Sequence, residues 1–458
     1  MGHKNKEGGN KNKTATGGEA INKATGGKKK KSTGDASSSS SLPAPSVIFN
    51  PKDVTDPFEL LDMSIAALHD KRASASPRES ALSSLAATLE RVLPLDESTD
   101  ARPLVVFALC GASIKKGNTT SPTSGKEARL AFRAVGLLAL TLLNGGSTEI
   151  LAESFPMLAK TLQFAPAMEA ATVIAALDCL AAVTFAGALG PEEAERSLKA
   201  IWSVIFPNPK FPNAVSTKVT PQVLATAVST WTFLVTTASL TDAAQRKSER
   251  AAWTATVASL ASLLDAADDR AVRMVAGEAM AVCVELNLTQ HASRKDMEAV
   301  VARVSDLAAE AGGKGADKTL FVEQKVMFRQ ILAFMERGER APTVAVRTTS
   351  SEKKEMIKAS TWAKIAQLNF LRRFLGGGFL AHVKGNKMFK ETFDVGADEK
   401  AALSIAKRKL NVKLKQKQKV MKMNRELSWA VKNVYCLPQG AQPPESNKPD
   451  QLLKLGWH

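Results

Sequence analysis

Aromatic residues are scarce in this chain, at 5% with a single tyrosine, although hydrophobic residues make up 44% of it. Strand-rich domains lean on Tyr, Phe, Thr and Ile, so a core built mainly from Ala, Leu and Val points to closely packed helices. Cysteine is equally thin. Cys110, Cys179, Cys283 and Cys436 lie far apart, with no C-x-x-C pair and no histidine at metal-ligand spacing, which speaks against a disulfide framework. Three of them sit among Ala, Leu and Val and read as buried free thiols. The five histidines, His3, His69, His291, His382 and His458, are too scattered to suggest a metal site.

Catalytic motifs are missing too. The sequence contains no G-x-S-x-G, no H-E-x-x-H and no G-x-x-x-x-G-K-[ST]; Gly312-Gly313-Lys314-Gly315 lacks the phosphate-loop spacing and follows a helical pattern instead of a strand. A non-catalytic protein is expected, with no cofactor, no metal and no small-molecule substrate. No apolar run follows the basic start, so no secretory leader is expected, and Gly2 is followed by Lys6 where myristoylation wants Ser or Thr. The most apolar stretch, Ala170 to Leu189, carries Asp178 near its middle. A central carboxylate costs roughly 3 kcal/mol in a bilayer, so this reads as a buried helix with no membrane partner.

What is present in excess is positive charge, and its placement matters more than the net +17. Residues 1–47 hold nine lysines against Glu7, Glu19 and Asp35, and residues 407–432 hold ten Lys or Arg against Glu426 alone. These two stretches carry +15, leaving +2 for the remaining 385 residues. The expectation is a near-neutral body with two basic appendages that a polyanion would bind. Residues 1–47, rich in Gly, Lys, Ser, Asn, Ala and Thr and holding the Ser37 to Ser41 run, read as a disordered basic tail. Within it, Lys28 to Lys31 is either a nuclear-localisation patch or part of a solvated tail.

From Asp56-Pro57 onward the chain reads as amphipathic helices punctuated by breakers. After Ser76-Pro77, taken as N-cap and first helical residue, Leu82, Leu85, Leu89 and Val92 recur at helical spacing. Leu130, Val135, Leu138 and Leu142 form a face stopped by Asn144-Gly145-Gly146. Gly190-Pro191 opens a helix with Leu198, Ile201, Trp202 and Ile205, which Pro207-Asn208-Pro209 ends. Val257, Leu260 and Leu264, then Met297, Val300, Val301, Val304 and Leu307, then Phe321, Phe328, Ile331, Leu332 and Met335 continue the pattern. No convincing period-2 strand with a hairpin turn is expected. The fold class is all-α, an armadillo or HEAT-like solenoid of stacked helix pairs, although no clean repeat of fixed period is visible.

The strongest physical signal is the segment 407–432. On a helix advancing about 100° per residue, Lys409, Lys413 and Lys417 cluster on one side while Arg408, Lys415, Lys419 and Lys422 lie opposite; Lys407, Arg425 and Lys432 add to the charge. Leu410, Val412, Leu414, Met421, Met423 and Leu427 are scattered, so no broad apolar stripe exists for docking on the body. Such a helix repels itself at i,i+4 in water and gains when phosphates surround it, which fits an RNA-walled channel. Trp429 either stacks on a base or anchors the helix.

Three stretches resemble the interferon-related developmental regulator family. They are Lys71-Arg72-Ala73-Ser74 with Arg78-Glu79-Ser80-Ala81-Leu82; Phe328-Arg329 with Phe334, Glu336, Gly338-Glu339 and Pro342; and Trp362-Ala363-Lys364, Gln367, Phe374-Leu375-Gly376-Gly377-Gly378-Phe379, His382, Asn386 and Phe393. The resemblance runs from about 48 to about 396. It departs between Ser74 and Arg78, where this chain is longer, and at Lys390-Glu391-Thr392, where the family has Arg, then Asp and Ile, so a contact needing a bidentate Arg does not carry over. The resemblance implies an armadillo-like domain at 48–345 and a family C-terminal helical domain at 346–396, to which the charge pattern adds a basic helix at 397–436, followed by a tail at 437–458. It further implies a regulatory role through transcriptional co-regulation or ribosome binding. The expected partners are the ribosome or ribosomal RNA, with transcriptional regulatory proteins in the solenoid groove as the alternative; the expected location is the cytoplasm, with the nucleus second. The glycine turn at 376–378 reads as a helix C-cap and tight corner, against a phosphate cradle served by Lys384, Lys387 and Lys390. His382 and Asn386 share a helix face and are expected to make structural hydrogen bonds.

Overall fold

A computed structural model describes residues 54–393, apart from 71–73, 92, 94, 96–99, 118–124, 143–145, 208–218, 238–249, 267–268, 311–317 and 348–355. The tail at 1–47, the basic segment from Lys407 to Lys432 and the residues 437–458 lie outside the described residues, as does Cys436. Everything below belongs to the compact unit that starts at Val47.

Helices α1 (Pro57–His69), α2 (Ala75–Leu89), α3 (Arg102–Gly117), α4 (Gly125–Thr141), α5 (Ser147–Gln163), α6 (Ala170–Gly187), α7 (Pro191–Ile205) and α8 (Pro221–Thr237) come first. Then follow α9 (Arg250–Ala266), α10 (Arg270–Glu285), α11 (Arg294–Ala309) and α12 (Lys318–Arg337). Local chemistry sets their starts. Asp56 caps α1 by accepting from Phe58 N at 3.2 Å, with Pro57 at the first position, and Asp269 and Ser293 cap α10 and α11 by accepting from Val272 N and Asp296 N. Helix α2 begins two residues earlier than its proline suggested: Ser74 occupies the N-cap and Pro77 falls third in the helix. The first four N–H groups of a helix have no intrahelical acceptor, so proline is tolerated anywhere in that turn and marks its start only loosely.

Among the described residues each odd-numbered helix packs on the even-numbered one that follows, giving six pairs. The even-numbered helices also pack successively on one another, from α2 through α4, α6, α8 and α10 to α12, and form a continuous inner row. This is the all-α solenoid of stacked helix pairs. Small side chains let the row close up. Ala128, Ala131, Ala134 and Ala139 on α4 and Ala176, Ala181 and Ala182 on α6 are all buried, and a Cβ on Gly136 would come 2.7 Å from Phe374 Cζ and 3.2 Å from Ala182 Cβ. Helix α6 is the one described helix long and apolar enough to cross a membrane, yet it sits in the centre of this row. Cys110, Cys179 and Cys283 are free and fully buried, and burial pushes the Cys110 and Cys283 thiols up to about 12.

One polar knot ties the first two pairs together. The Glu127 carboxylate, 1% exposed, accepts from Arg78 Nε at 2.9 Å, Ser113 Oγ at 2.8 Å and Lys116 Nζ at 3.2 Å. Arg78 also donates to the Leu68 carbonyl and to Ser113 Oγ. Burial works to raise the Glu127 pKa, but the hydrogen bonds from Arg78 and Ser113 and the nearby cation outweigh it and hold the group below its usual range.

The expectation of no strand is corrected at one place. Strands β1 (Val344–Arg347) and β2 (Met356–Ala359) pair antiparallel, with Val344 opposite Ala359 and Arg347 opposite Met356. Four residues per strand give too few alternations to show a period, and the intervening 348–355 hides the pairing. The ladder works because Ile357 and Ala359 turn into the core while Lys358 faces out. Beyond it come α13 (Trp362–Leu375), a single 3-10 turn at Gly376–Gly378, α14 (Phe379–Gly385) and α15 (Lys387–Thr392).

Candidate functional site on the inner helix row

Helix α13 lies across the inner row instead of extending it. Its N-terminus is held by α10: Glu285 accepts from Trp362 N at 2.9 Å and Ala363 N at 2.7 Å, while Thr361 Oγ1 accepts from Lys364 N. A carboxylate from another helix thus meets the free N–H groups and positive end of α13. Trp362 is buried with its ring 6.2 Å from Phe334 of α12. One turn on, Gln367 donates to the Thr236 carbonyl at the end of α8. Asn369 donates to Glu278 of α10, and Arg373 Nη1 reaches Asp178 of α6 at 2.8 Å. Phe370 stacks on Phe233 of α8 with centroids 4.0 Å apart, and Phe374 fits over Gly136 of α4.

The carboxylate that looked out of place in the most apolar stretch therefore has a partner 195 residues away. Burial raises the Asp178 pKa, opposed by Arg373 and Arg133; burial likewise raises that of Glu278, opposed by Asn369.

The glycine turn is the corner that ends this crossing. Gly376 closes α13 at φ 53°, its N–H bonded to the Arg372 carbonyl, a conformation that side chains rarely adopt. Gly378 presses against the backbone carbonyl of Glu90 at the end of α2, where a Cβ would collide. Phe374 and Phe379 do not pair across the corner; Phe374 pairs with Phe370 and Phe379 meets Phe393 edge-on at 6.3 Å. After the turn, His382 is fully buried, 5.4 Å from the Phe389 ring, and neither ring nitrogen has a hydrogen-bond partner. Its neighbour Asn386 instead donates from Nδ2 to the Leu140 carbonyl at 2.6 Å and caps α15 by accepting from Met388 N. The expected pair is thus half present: Asn386 makes its structural bonds and His382 makes none. Lys364 donates to the Thr392 carbonyl, pinning α15 back on α13.

All nine motif residues, Trp362, Gln367, Gly376, Gly377, Gly378, Phe379, His382, Asn386 and Phe393, lie in this one covering segment, and all but Gly376 and Gly377 are buried or half-buried. The residues sequence reasoning missed are those that receive this segment: Glu90, Leu140, Thr236, Glu278 and Glu285. Asp178 alone carried a signal, as a lone carboxylate inside an apolar run. Buried polar atoms without partners gather at the same contact, among them Asp178 Oδ1, Trp362 Nε1, Gln367 Oε1 and both His382 nitrogens. Among the described residues no cluster of His, Cys, Asp and Glu is placed to hold a metal.

A comparison with protein families matches residues 32–336 to the interferon-related developmental regulator family, about two thirds of the chain and nearly the whole run of helix pairs. The chain belongs to that family. Membership makes it a regulator from a family that is generally non-catalytic. The match stops before α13, so the covering segment is a part of this regulator that the matched region does not include.

Proposed function

We propose that this regulator acts without catalysis, binding ribosomes and their RNA through the basic segment at 407–432 and thereby modulating translation. The observation that carries the reading is the charge: ten Lys or Arg against one Glu in that segment, attached to a body that is close to neutral. Lysines that neutralise phosphates release counterions, so a segment of this kind binds RNA strongly and without reading sequence. The location this implies is the cytoplasm, with Lys28 to Lys31 allowing a nuclear share.

A second reading, a transcriptional co-regulator that docks proteins along the solenoid groove, would use the inner row. Part of that face, from α4 to α10, is already occupied by α13 of the same chain. This favours the RNA reading.

The experiment is co-sedimentation with ribosomes across a salt series. Replacing Lys413, Lys415, Lys417 and Lys419 with Gln should lower affinity and reduce the slope of log affinity against log salt by up to about 4. Trp429→Ala should weaken binding by roughly 1 to 3 kcal/mol with little change in slope if the ring stacks on a base. A quadruple variant that keeps both affinity and slope would overturn the proposal and restore the co-regulator reading.

A further inference from the structure

The segment that covers the inner row turns a second face to solvent, and that face is basic. Across residues 362–393 the cations are Lys364, Arg372, Arg373, Lys384, Lys387 and Lys390, against Glu391 alone. Three are engaged: Lys364 by the Thr392 carbonyl, Arg373 by Asp178, and Lys387 by Glu391 at 3.8 Å. Arg372, Lys384 and Lys390 are exposed and have no ion pair or hydrogen bond among the described residues. Elsewhere among the described residues many cations sit beside carboxylates, as Lys126 does with Glu79, Arg129 with Glu169 and Arg133 with Glu90.

Arg372 stands at the edge of a cleft of about 550 Å³ between β1 and the end of α13. Gly377 presents bare backbone there, with nothing within 4 Å of where a Cβ would be. Leu380, 38% exposed, forms part of the wall and shares a face of α14 with Lys384 at i,i+4. Lys387 and Lys390 lie three residues apart, on one face of α15. The free guanidinium offers a planar fork that matches a phosphate, and the lysines offer point charges farther along.

We infer that this face is a second RNA contact, on the folded body, that takes the sugar-phosphate backbone of a single strand. The inference rests on the proposed RNA-binding function and extends it from the 407–432 segment to the covering helices. An acidic protein is the competing occupant, but protein interfaces bury an apolar centre depleted in charge, whereas this face exposes dispersed cations around one leucine. Lys407 follows Phe393 by 14 residues, a length that reaches at most about 50 Å, so one strand can engage both contacts. Binding at either contact raises the effective concentration at the other.

The test uses the full chain and a labelled single-stranded RNA oligonucleotide in a salt series. One variant replaces Arg372, Lys384 and Lys390 with Gln; a charge-matched control replaces Lys115, Lys160 and Lys295, exposed lysines on α3, α5 and α11. Since none of the six is paired, both variants should melt like the parent. The first should lose about 2 from the salt slope, three phosphates at roughly 0.7 each, and the control should lose almost nothing. If the two variants behave alike, the inference is overturned. Loss of binding to polyglutamate with the RNA slope unchanged would mark an acidic protein partner and overturn it equally. The quadruple 413–419 variant keeps the two proposals apart: its failure to change the slope sinks the terminal-segment reading alone, while a change there with none at Arg372, Lys384 and Lys390 sinks only this one.

Discussion

His382→Leu tests whether the covering segment is packed as described, and its consequence is a change in acid sensitivity. The imidazole is fully buried against Phe389, and burial pulls its pKa from 6.5 down to about 4, opposed by the Leu89 carbonyl and the Glu90 carboxylate. A group that protonates more readily in the unfolded chain destabilises the fold as pH falls. The loss begins below the unfolded value of 6.5 and levels off only below about 4. At pH 5 the cost comes to about 2 kcal/mol, and a full shift of this size approaches 3.4 kcal/mol. At pH 7 the ring approaches the Leu89 carbonyl without forming a full hydrogen bond, so its removal should change stability by less than about 1 kcal/mol. Urea unfolding of parent and variant, each at pH 7 and pH 5, reads the difference. The parent should lose about 2 kcal/mol more than the variant between the two pH values; carboxylates elsewhere titrate in both and cancel. Equal losses would mean that His382 is solvated, and the docking of α14 against the end of α2 would have to be abandoned.

Two further substitutions probe the core and the crossing. Glu127→Gln breaks a carboxylate that is 1% exposed and leaves Arg78 without its charge, which should cost about 3 to 5 kcal/mol in urea unfolding; because the Glu127 pKa is held low, this contribution is present at neutral pH and fades as the parent is acidified through the folded value. Gly136→Leu forces side-chain atoms into Phe374 and Ala182, overpacking that should cost about 1 to 3 kcal/mol and speed amide exchange along α13, whereas exchange unchanged at 362–375 would contradict the contact.

Much of the architecture was legible because it follows from local rules. The spacing of Leu198, Ile201 and Ile205 after Gly190-Pro191 places α7 correctly, and the Phe328 and Ile331 face of α12 is buried as its period requires. The glycine corner was legible as well, since a run of three glycines after a helix has few other uses. Less legible were features whose cause lies elsewhere in the chain. Four-residue strands carry no readable period, and Ser76-Pro77 suggested an N-cap that in fact sits at Ser74.

By itself the sequence determined an all-α body of stacked pairs, its buried thiols and the separation of charge from core, because propensity, period and composition act within a few residues. Tertiary structure alone decided where the motif segment goes. Nothing near Trp362 announces Glu285, and nothing near Arg373 announces Asp178; each pair is brought together by the stacking of the helices between them. The hydrogen bonds that tie Trp362, Gln367 and Asn386 to the helix row beneath them span 77 to 246 residues of sequence, far beyond what a local pattern can encode.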